Sequence, residues 1–129
     1  MSVLDNYNLT FINRTHTYYN GQQDNVKQAI HNVPNDYLGY FLEFFRYGSI
    51  DDIIAHINTV QSEGFYDPEY DFDIFLRDDL YVKFTDTSLK FYDKFGGNFI
   101  QEIPFNDMIE ILQLWKTFNQ TPPLNNQIL

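Results

Sequence analysis

The chain has 129 residues, a mass of 15.4 kDa, no cysteine and a formal net charge of −10 at pH 7. That length suits one domain with a sizeable core, and an aromatic fraction of 19% is too high for an intrinsically disordered chain. The negative charge disfavours nucleic acid and anionic membranes as partners, since their phosphates would repel it. No basic segment followed by an apolar run opens the chain, and no apolar stretch is long enough to span a membrane, so we expect a cytoplasmic protein.

The first third of the chain predicts a strand followed by a short helix. Leu9–Tyr19 is rich in β-branched and aromatic residues, which favours one strand or a short hairpin arm, and Asn20-Gly21 is a turn signal that ends it. Gln22–Asn32 carries three apolar residues at helical spacing and predicts a helix that ends before Pro34.

Two further helices are predicted in the middle of the chain. Asn35–Tyr47 has Asn35 as its N-cap and apolar residues along one face. Ser49–Glu63 keeps isoleucine and valine at helical spacing, and Gly64 stands where a helix commonly ends.

The second half changes to a period of two residues, which predicts strands. Apolar and polar residues alternate from Tyr70 to Phe95, with turn signals between the runs, so three or four strands should form an antiparallel meander. Ile103-Pro104 closes the last strand, and Phe105–Asn119 then predicts an amphipathic helix with Asn106 as its cap. Five apolar residues should face inward: Met108, Ile111, Leu112, Trp115 and Phe118.

These elements predict an α+β fold, an antiparallel β-meander packed against several helices, with a terminal amphipathic helix after the last strand. We expect one domain over residues 1–120 and a loose C-terminal tail over residues 121–129, because no linker divides the chain before Thr121-Pro122-Pro123.

The charge is concentrated in one segment, Glu63–Asp79, which we call the acidic segment. It holds seven carboxylates and one cation, Arg77, and therefore −6 of the formal −10, with five aromatic residues interleaved. If this segment is extended, alternate acids lie on one face about 6.6 Å apart. Such a row of carboxylates repels itself, and a basic partner would relieve that repulsion. The alternative is a solvated strand edge whose charge prevents aggregation, and the residues leave both readings open. The candidate partner-binding residues are Tyr66, Asp67, Glu69, Tyr70, Asp71, Asp73, Asp78 and Asp79.

Motifs for covalent chemistry or metal binding are weak. No nucleophile elbow, phosphate-binding loop or zinc motif occurs, and the three histidines, His16, His31 and His56, are dispersed along the chain. Asp67–Asp78 copies the oxygen spacing of a calcium loop, but Phe72 stands where the sharp turn needs glycine. We therefore expect no metal, no cofactor and no catalytic residues.

The segment LYVKFTDTSLKFYDKFGGNFIQEIPFNDMIEILQLWKTF completes a pattern that resembles a known family. Over residues 70–118 the chain is similar to the immunity proteins of bacterial polymorphic-toxin and contact-dependent growth inhibition systems. Many of these end in Glu-Ile-Pro followed by a helix with spaced Phe, Leu, Trp and Phe, as Glu102-Ile103-Pro104 and Ile109–Phe118 do here. The match is structural, so no binding residue carries over.

The resemblance implies a cytosolic protein that binds the C-terminal domain of its cognate toxin, commonly a nuclease, and neutralises it stoichiometrically. Two alternatives stay open: an acidic regulatory or adaptor domain that docks another basic protein, and a small hydrolase that uses carboxylates. A toxin gene immediately upstream would favour the first reading, and hydrolase activity lost on carboxylate-to-amide changes would favour the last.

Overall fold

A computed structural model describes residues 2–31, 37–44, 50–66, 74–77, 80–93 and 98–120. The predicted α+β class is confirmed: antiparallel strands are combined with helices, and a helix follows the last strand. The chain divides into two compact units, residues 1–48 with 113–129, and residues 49–112. The predictions of a single domain over residues 1–120 and of a loose tail stay predictions, and residues 121–129 lie outside the described part.

The first unit begins with a short helix and a β-hairpin. Its elements before the last helix are α1 (Val3–Asn6), β1 (Leu9–Thr17), β2 (Gln23–His31) and α2 (Tyr37–Phe44). Helix α1 was not predicted; the Ser2 hydroxyl caps it by accepting a hydrogen bond from the Asp5 backbone N–H at 3.3 Å.

The helix predicted over Gln22–Asn32 is wrong, because this segment forms β2. The two strands pair antiparallel from Leu9 opposite His31 to Thr17 opposite Gln23. At the connecting turn Tyr18 N–H donates to the Gln22 carbonyl at 2.7 Å, and Gly21 has a φ of +86°, which glycine adopts without strain.

The alternation of buried and exposed residues along β2 is not visible as apolar against polar residues, because of which residues the strand buries. Lys27, Ala29 and His31 alternate along the strand and are all buried, although two of the three are polar. The apolar residues Val26 and Ile30 lie on the other face and are only half-buried. An apolar-against-polar count therefore favoured helical spacing over the true period of two.

Helix α2 falls inside the range predicted for it. Leu38, Phe41 and Leu42 are fully buried, as the spacing indicated. The predicted cap Asn35 and the ends of the predicted range lie outside the described residues. The buried apolar side chains of this unit are Val3, Leu4, Leu9, Phe11, Ala29, Leu38, Phe41, Leu42, Trp115 and Phe118.

The second unit contains a helix and the predicted meander. Its elements are α3 (Ile50–Glu63), β3 (Ile74–Arg77), β4 (Leu80–Phe84), β5 (Ser88–Asp93) and β6 (Asn98–Pro104), and α4 (Phe105–Gln120) begins in it. The four strands pair in the order β3-β4-β5-β6, all antiparallel, so β3 and β6 are the outer strands among the residues that the structure describes.

The apolar stripe of α3 is confirmed, with Ile50, Ile53, Ile57 and Val60 buried. Gly64 ends the helix as predicted: its φ is +83°, and its N–H donates to the Val60 carbonyl at 2.9 Å. The predicted cap Ser49 lies outside the described residues.

The core face of the meander is also as predicted. Val82 opposite Phe91 and Phe84 opposite Leu89 are buried pairs, and Leu89 also pairs with Ile103. Cross-strand apolar pairs of this kind are the unit of stabilisation in a sheet.

Helix α4 buries the five residues predicted to face inward, each with 2% exposure or less. The helix begins at Phe105, directly after Pro104 ends β6, so Asn106 lies inside its first turn. The prediction of Asn106 as the cap is therefore wrong.

Candidate functional site

Tyr66 is the one predicted binding residue that falls within the described part of the chain. The other seven, Asp67, Glu69, Tyr70, Asp71, Asp73, Asp78 and Asp79, lie outside it. The candidate site is therefore built from what surrounds Tyr66 in the second unit.

A tight turn between β4 and β5 supplies the first part of the site. Thr85 N–H donates to the Ser88 carbonyl at 2.8 Å, and the Thr85 hydroxyl accepts from the N–H groups of Thr87 at 3.2 Å and Ser88 at 2.9 Å. Phe105 N–H donates to the Thr87 carbonyl at 3.0 Å, which ties the turn to the start of α4. Asp86 at the tip is thereby held in one place.

Asp86 in turn anchors Tyr66. The Tyr66 backbone N–H donates to Asp86 Oδ1 at 2.7 Å, a charge-assisted hydrogen bond. The Tyr66 ring stacks on Phe84, with centroids 5.9 Å apart and planes 20° from parallel. Asp86 and the β4 core residue Phe84 therefore fix the chain where the most acidic part of the acidic segment begins.

His56 of α3 completes this aromatic cluster. Its ring meets Phe84 edge-on, with centroids 4.7 Å apart at 89°, and it meets Tyr66 at 6.2 Å and 72°. Burial lowers the pKa of His56 below its ordinary value of 6.5, because desolvation disfavours the charged imidazolium. The imidazole is therefore neutral near pH 7 and acts as an aromatic packing group.

Phe65, next to Tyr66, remains available at the surface. Its side chain is 50% exposed, which is unusual for a phenylalanine in a cored domain. An exposed aromatic ring beside an anchored one is typical of surfaces that contact other proteins.

An open pocket of about 360 Å³ lies beside the anchor. The end of α3 contributes Gln61 and Gly64, the β4–β5 turn contributes Asp86 and Thr87, and the start of α4 contributes Asn106. Pro104 and Phe105 add apolar lining. Gln61 Nε2 donates to Asn106 Oδ1 at 3.0 Å, which joins the two helices at the pocket rim.

The outer face of the meander carries a second aromatic pair. Tyr81 and Tyr92 lie opposite each other on β4 and β5 and stack with centroids 5.3 Å apart at 14°. Lys83 and Lys90 form the next opposed pair, and Lys90 also lies opposite Glu102. The residues named on this face are mixed in charge and are half-buried or exposed.

The described residues contain no group of three or more His, Asp or Glu side chains that could hold a metal ion. Within the same residues, no helix is both long enough and apolar enough to cross a membrane.

Comparisons with protein-family models, with curated proteins and with solved structures gave no match. The resemblance to immunity proteins therefore stays a prediction, and the function must be argued from the residues.

Sequence reasoning missed Asp86 as a site residue, although it placed Asp86-Thr87-Ser88 at a turn. The contact that gives Asp86 its role joins residues 20 positions apart. Periodicity reports which face a residue occupies and not which distant residue it meets, so the sequence held no signal for this pair.

Proposed function

We propose that this chain is an immunity protein that binds the basic domain of a cognate toxin and neutralises it by occupying its active site or substrate cleft. The proposed target is a nuclease domain, the proposed compartment is the cytoplasm, and the chain itself is not an enzyme. The function rests on binding alone, with the acidic segment as its main contact.

One observation carries the proposal: Glu63–Asp79 holds −6 of the formal charge of −10 together with five aromatic residues. A nuclease cleft is lined by cations that bind phosphates, so a row of carboxylates can take the place of the nucleic acid backbone. Aromatic rings beside the acids add contact area with few rotamers to order.

The anchoring of Tyr66 supports this reading. The segment is attached at Tyr66 by the Asp86 hydrogen bond and the Phe84 stack, and β3 within the segment is an outer strand of the meander as far as the structure describes it. A contact residue such as Tyr66 that is already held in place loses less conformational entropy on association. The half-exposed Phe65 lies at the same end of the segment and offers an apolar contact.

The test combines a segment variant with a matched control. The segment variant is Glu69→Gln, Asp71→Asn, Asp73→Asn, and the control Asp5→Asn, Asp52→Asn, Glu110→Gln removes the same charge from exposed helical positions. Each chain is co-expressed with the toxin domain encoded immediately upstream, and binding to a catalytically inactive form of that domain is measured by calorimetry and by stopped-flow association.

We expect the segment variant to fold, to lose protection and to bind more weakly by about tenfold for each desolvated pair of about 1.5 kcal/mol. The control should protect like the wild type. Association of the wild type should slow steeply with added salt, since the Debye length is about 10 Å at 0.1 M. A folded segment variant that binds and protects as well as the wild type would refute the proposal and leave the acids as a solvated edge.

A further inference from the structure

We infer that the pocket beside Asp86 is a subsite for an arginine side chain of the protein partner. This inference rests on the proposed function for the identity of the partner, but the chemistry of the pocket stands on its own geometry. Nothing in the sequence pattern pointed to this site.

The size and lining of the pocket suit a long side chain with a polar end. Its volume of about 360 Å³ is ample for a large side chain, and the pocket is shallow and widely open to solvent. Pro104, which is exposed and lines the pocket, offers apolar surface for the methylene stem. Gln61, Thr87 and Asn106, all exposed at the rim, offer hydrogen-bonding groups for the head.

The charge of the pocket selects a cation. Asp86 is the charged residue among those that line it. Asp86 Oδ1 accepts the Tyr66 N–H, whereas Oδ2 takes no hydrogen bond within the part of the chain that the structure describes. A carboxylate oxygen in that state is a ready acceptor for a guanidinium N–H.

The two helix ends at the pocket carry opposite partial charges, so the Asp86 carboxylate decides the sign of the site. The C-terminal end of α3 carries partial negative charge, has no basic residue in its last turn and ends with Glu63. The N-terminal end of α4 carries partial positive charge, but Asp107 in its first turn offsets that charge.

Arginine suits the pocket better than lysine because the lining offers several acceptors, the Asp86 carboxylate among them. Its planar guanidinium presents five N–H donors and can bond more than one acceptor, whereas an ammonium presents three. Asp86 also holds Tyr66, so an arginine in this pocket would lie beside the start of the acidic segment. A basic partner bound along that segment would therefore bring cations to the pocket mouth.

The probe is N-acetyl-arginine amide, titrated into the full-length ¹⁵N-labelled chain and followed by amide chemical shifts. N-acetyl-citrulline amide is the neutral isostere, and N-acetyl-glutamate amide is the anionic comparison. We expect saturable shifts at the amides of Gly64, Thr87 and Asn106 with the arginine ligand, and weaker binding of the other two ligands.

Asp86→Asn is the decisive variant, because its Oδ1 can still accept the Tyr66 N–H while the charge is removed. Its affinity for the arginine ligand should fall by up to about fivefold, the range of an exposed ion pair. The matched control is Asp52→Asn, an exposed acid on α3 that does not line the pocket, and its affinity should be unchanged.

Equal binding of the citrulline and arginine ligands would overturn the inference. Preference for the glutamate ligand would also overturn it, and would mean that the positive end of α4 determines the charge preference of the pocket. Shifts confined to other residues would also overturn it. These outcomes involve no toxin and are independent of the proposed function. If the pocket does not bind the arginine ligand but the segment variant loses protection, the subsite is rejected and the proposed function is kept. If the pocket binds the arginine ligand but the segment variant still protects, the proposed function is rejected and the subsite is kept.

Discussion

Replacement of Trp115 by Ala and by Phe tests the packing of the first unit in two separable ways. Trp115 is the single tryptophan and is fully buried on α4. Its ring meets Phe11 of β1 edge-on at 4.9 Å and lies against Phe118 at 6.1 Å. Its Nε1–H is buried without a hydrogen-bond partner in the part of the chain that the structure describes.

The two substitutions should differ strongly in magnitude. Trp115→Ala removes the whole ring system and should cost about 3–5 kcal/mol, through lost burial and the cavity left against Phe11 and Phe118. Trp115→Phe keeps one ring and removes a buried unpaired donor, whose desolvation costs about 1–3 kcal/mol. That gain offsets most of the lost volume, so Trp115→Phe should change stability by no more than about 1.5 kcal/mol.

Urea unfolding followed by far-ultraviolet circular dichroism measures both variants, since the indole reporter is lost in each. The native wild type should also show the blue-shifted fluorescence of a buried indole. A wild-type spectrum typical of full water exposure would refute the burial. A Trp115→Phe loss as large as that of Trp115→Ala would show that the indole N–H is satisfied and the offset wrong.

Two titrating groups give further predictions. Burial lowers the pKa of His56, so as pH falls below 6.5 the imidazole of the unfolded chain takes up a proton before that of the folded chain, and the free energy of unfolding decreases toward the lower folded pKa. His56→Gln should remove this part of the pH dependence, which urea unfolding at pH 5 and 7.5 measures. A variant whose free energy of unfolding differs between the two pH values as much as that of the wild type would contradict the prediction. Lys27 is buried, its Nζ lies 4.5 Å from the Phe118 ring centroid, and burial lowers its pKa, so wild-type stability should rise as pH increases from that folded pKa toward 10.5. Lys27→Met should lack that rise and be neutral or up to about 2 kcal/mol more stable at pH 7, and a loss above about 2 kcal/mol would mean that the Phe118 contact outweighs desolvation.

The second half of the fold could be predicted because its periods were clean. Val82 and Phe84 in β4 alternate with exposed or half-exposed residues, and Ile53 and Ile57 repeat along α3 at helical spacing. In both elements the buried residues are apolar, so a hydrophobic pattern reads burial directly. The glycine at Gly64 then marked the end of α3 with its positive φ.

In the first hairpin the strand β1 was predicted correctly, but β2 was wrongly predicted as a helix, for the opposite reason. The buried face of this hairpin includes the polar pair Asn13 and Lys27, which lie opposite each other. A polar residue type therefore does not indicate an exposed position in these strands. The Phe118 ring faces the Lys27 ammonium at 4.5 Å, a contact that joins residues far apart in sequence. The Asn20-Gly21 turn was the one local clue that a second strand follows, and it weighs more than the spacing of three apolar residues.

The candidate site was only partly predictable, because charge is a local property and anchoring is not. Composition alone located the acidic segment. The structure adds that Asp86 holds Tyr66 within it, and that Thr85 and the start of α4 hold the β4–β5 turn that carries Asp86. Each of these contacts uses a backbone N–H, which carries no sequence signature. An acid at a hairpin tip is ordinarily solvated, and what distinguishes Asp86 is that its Oδ1 accepts the Tyr66 N–H, whereas its Oδ2 takes no hydrogen bond from the residues that the structure describes. Under the proposed function, the same carboxylate would both hold Tyr66 in place and accept a hydrogen bond from the partner.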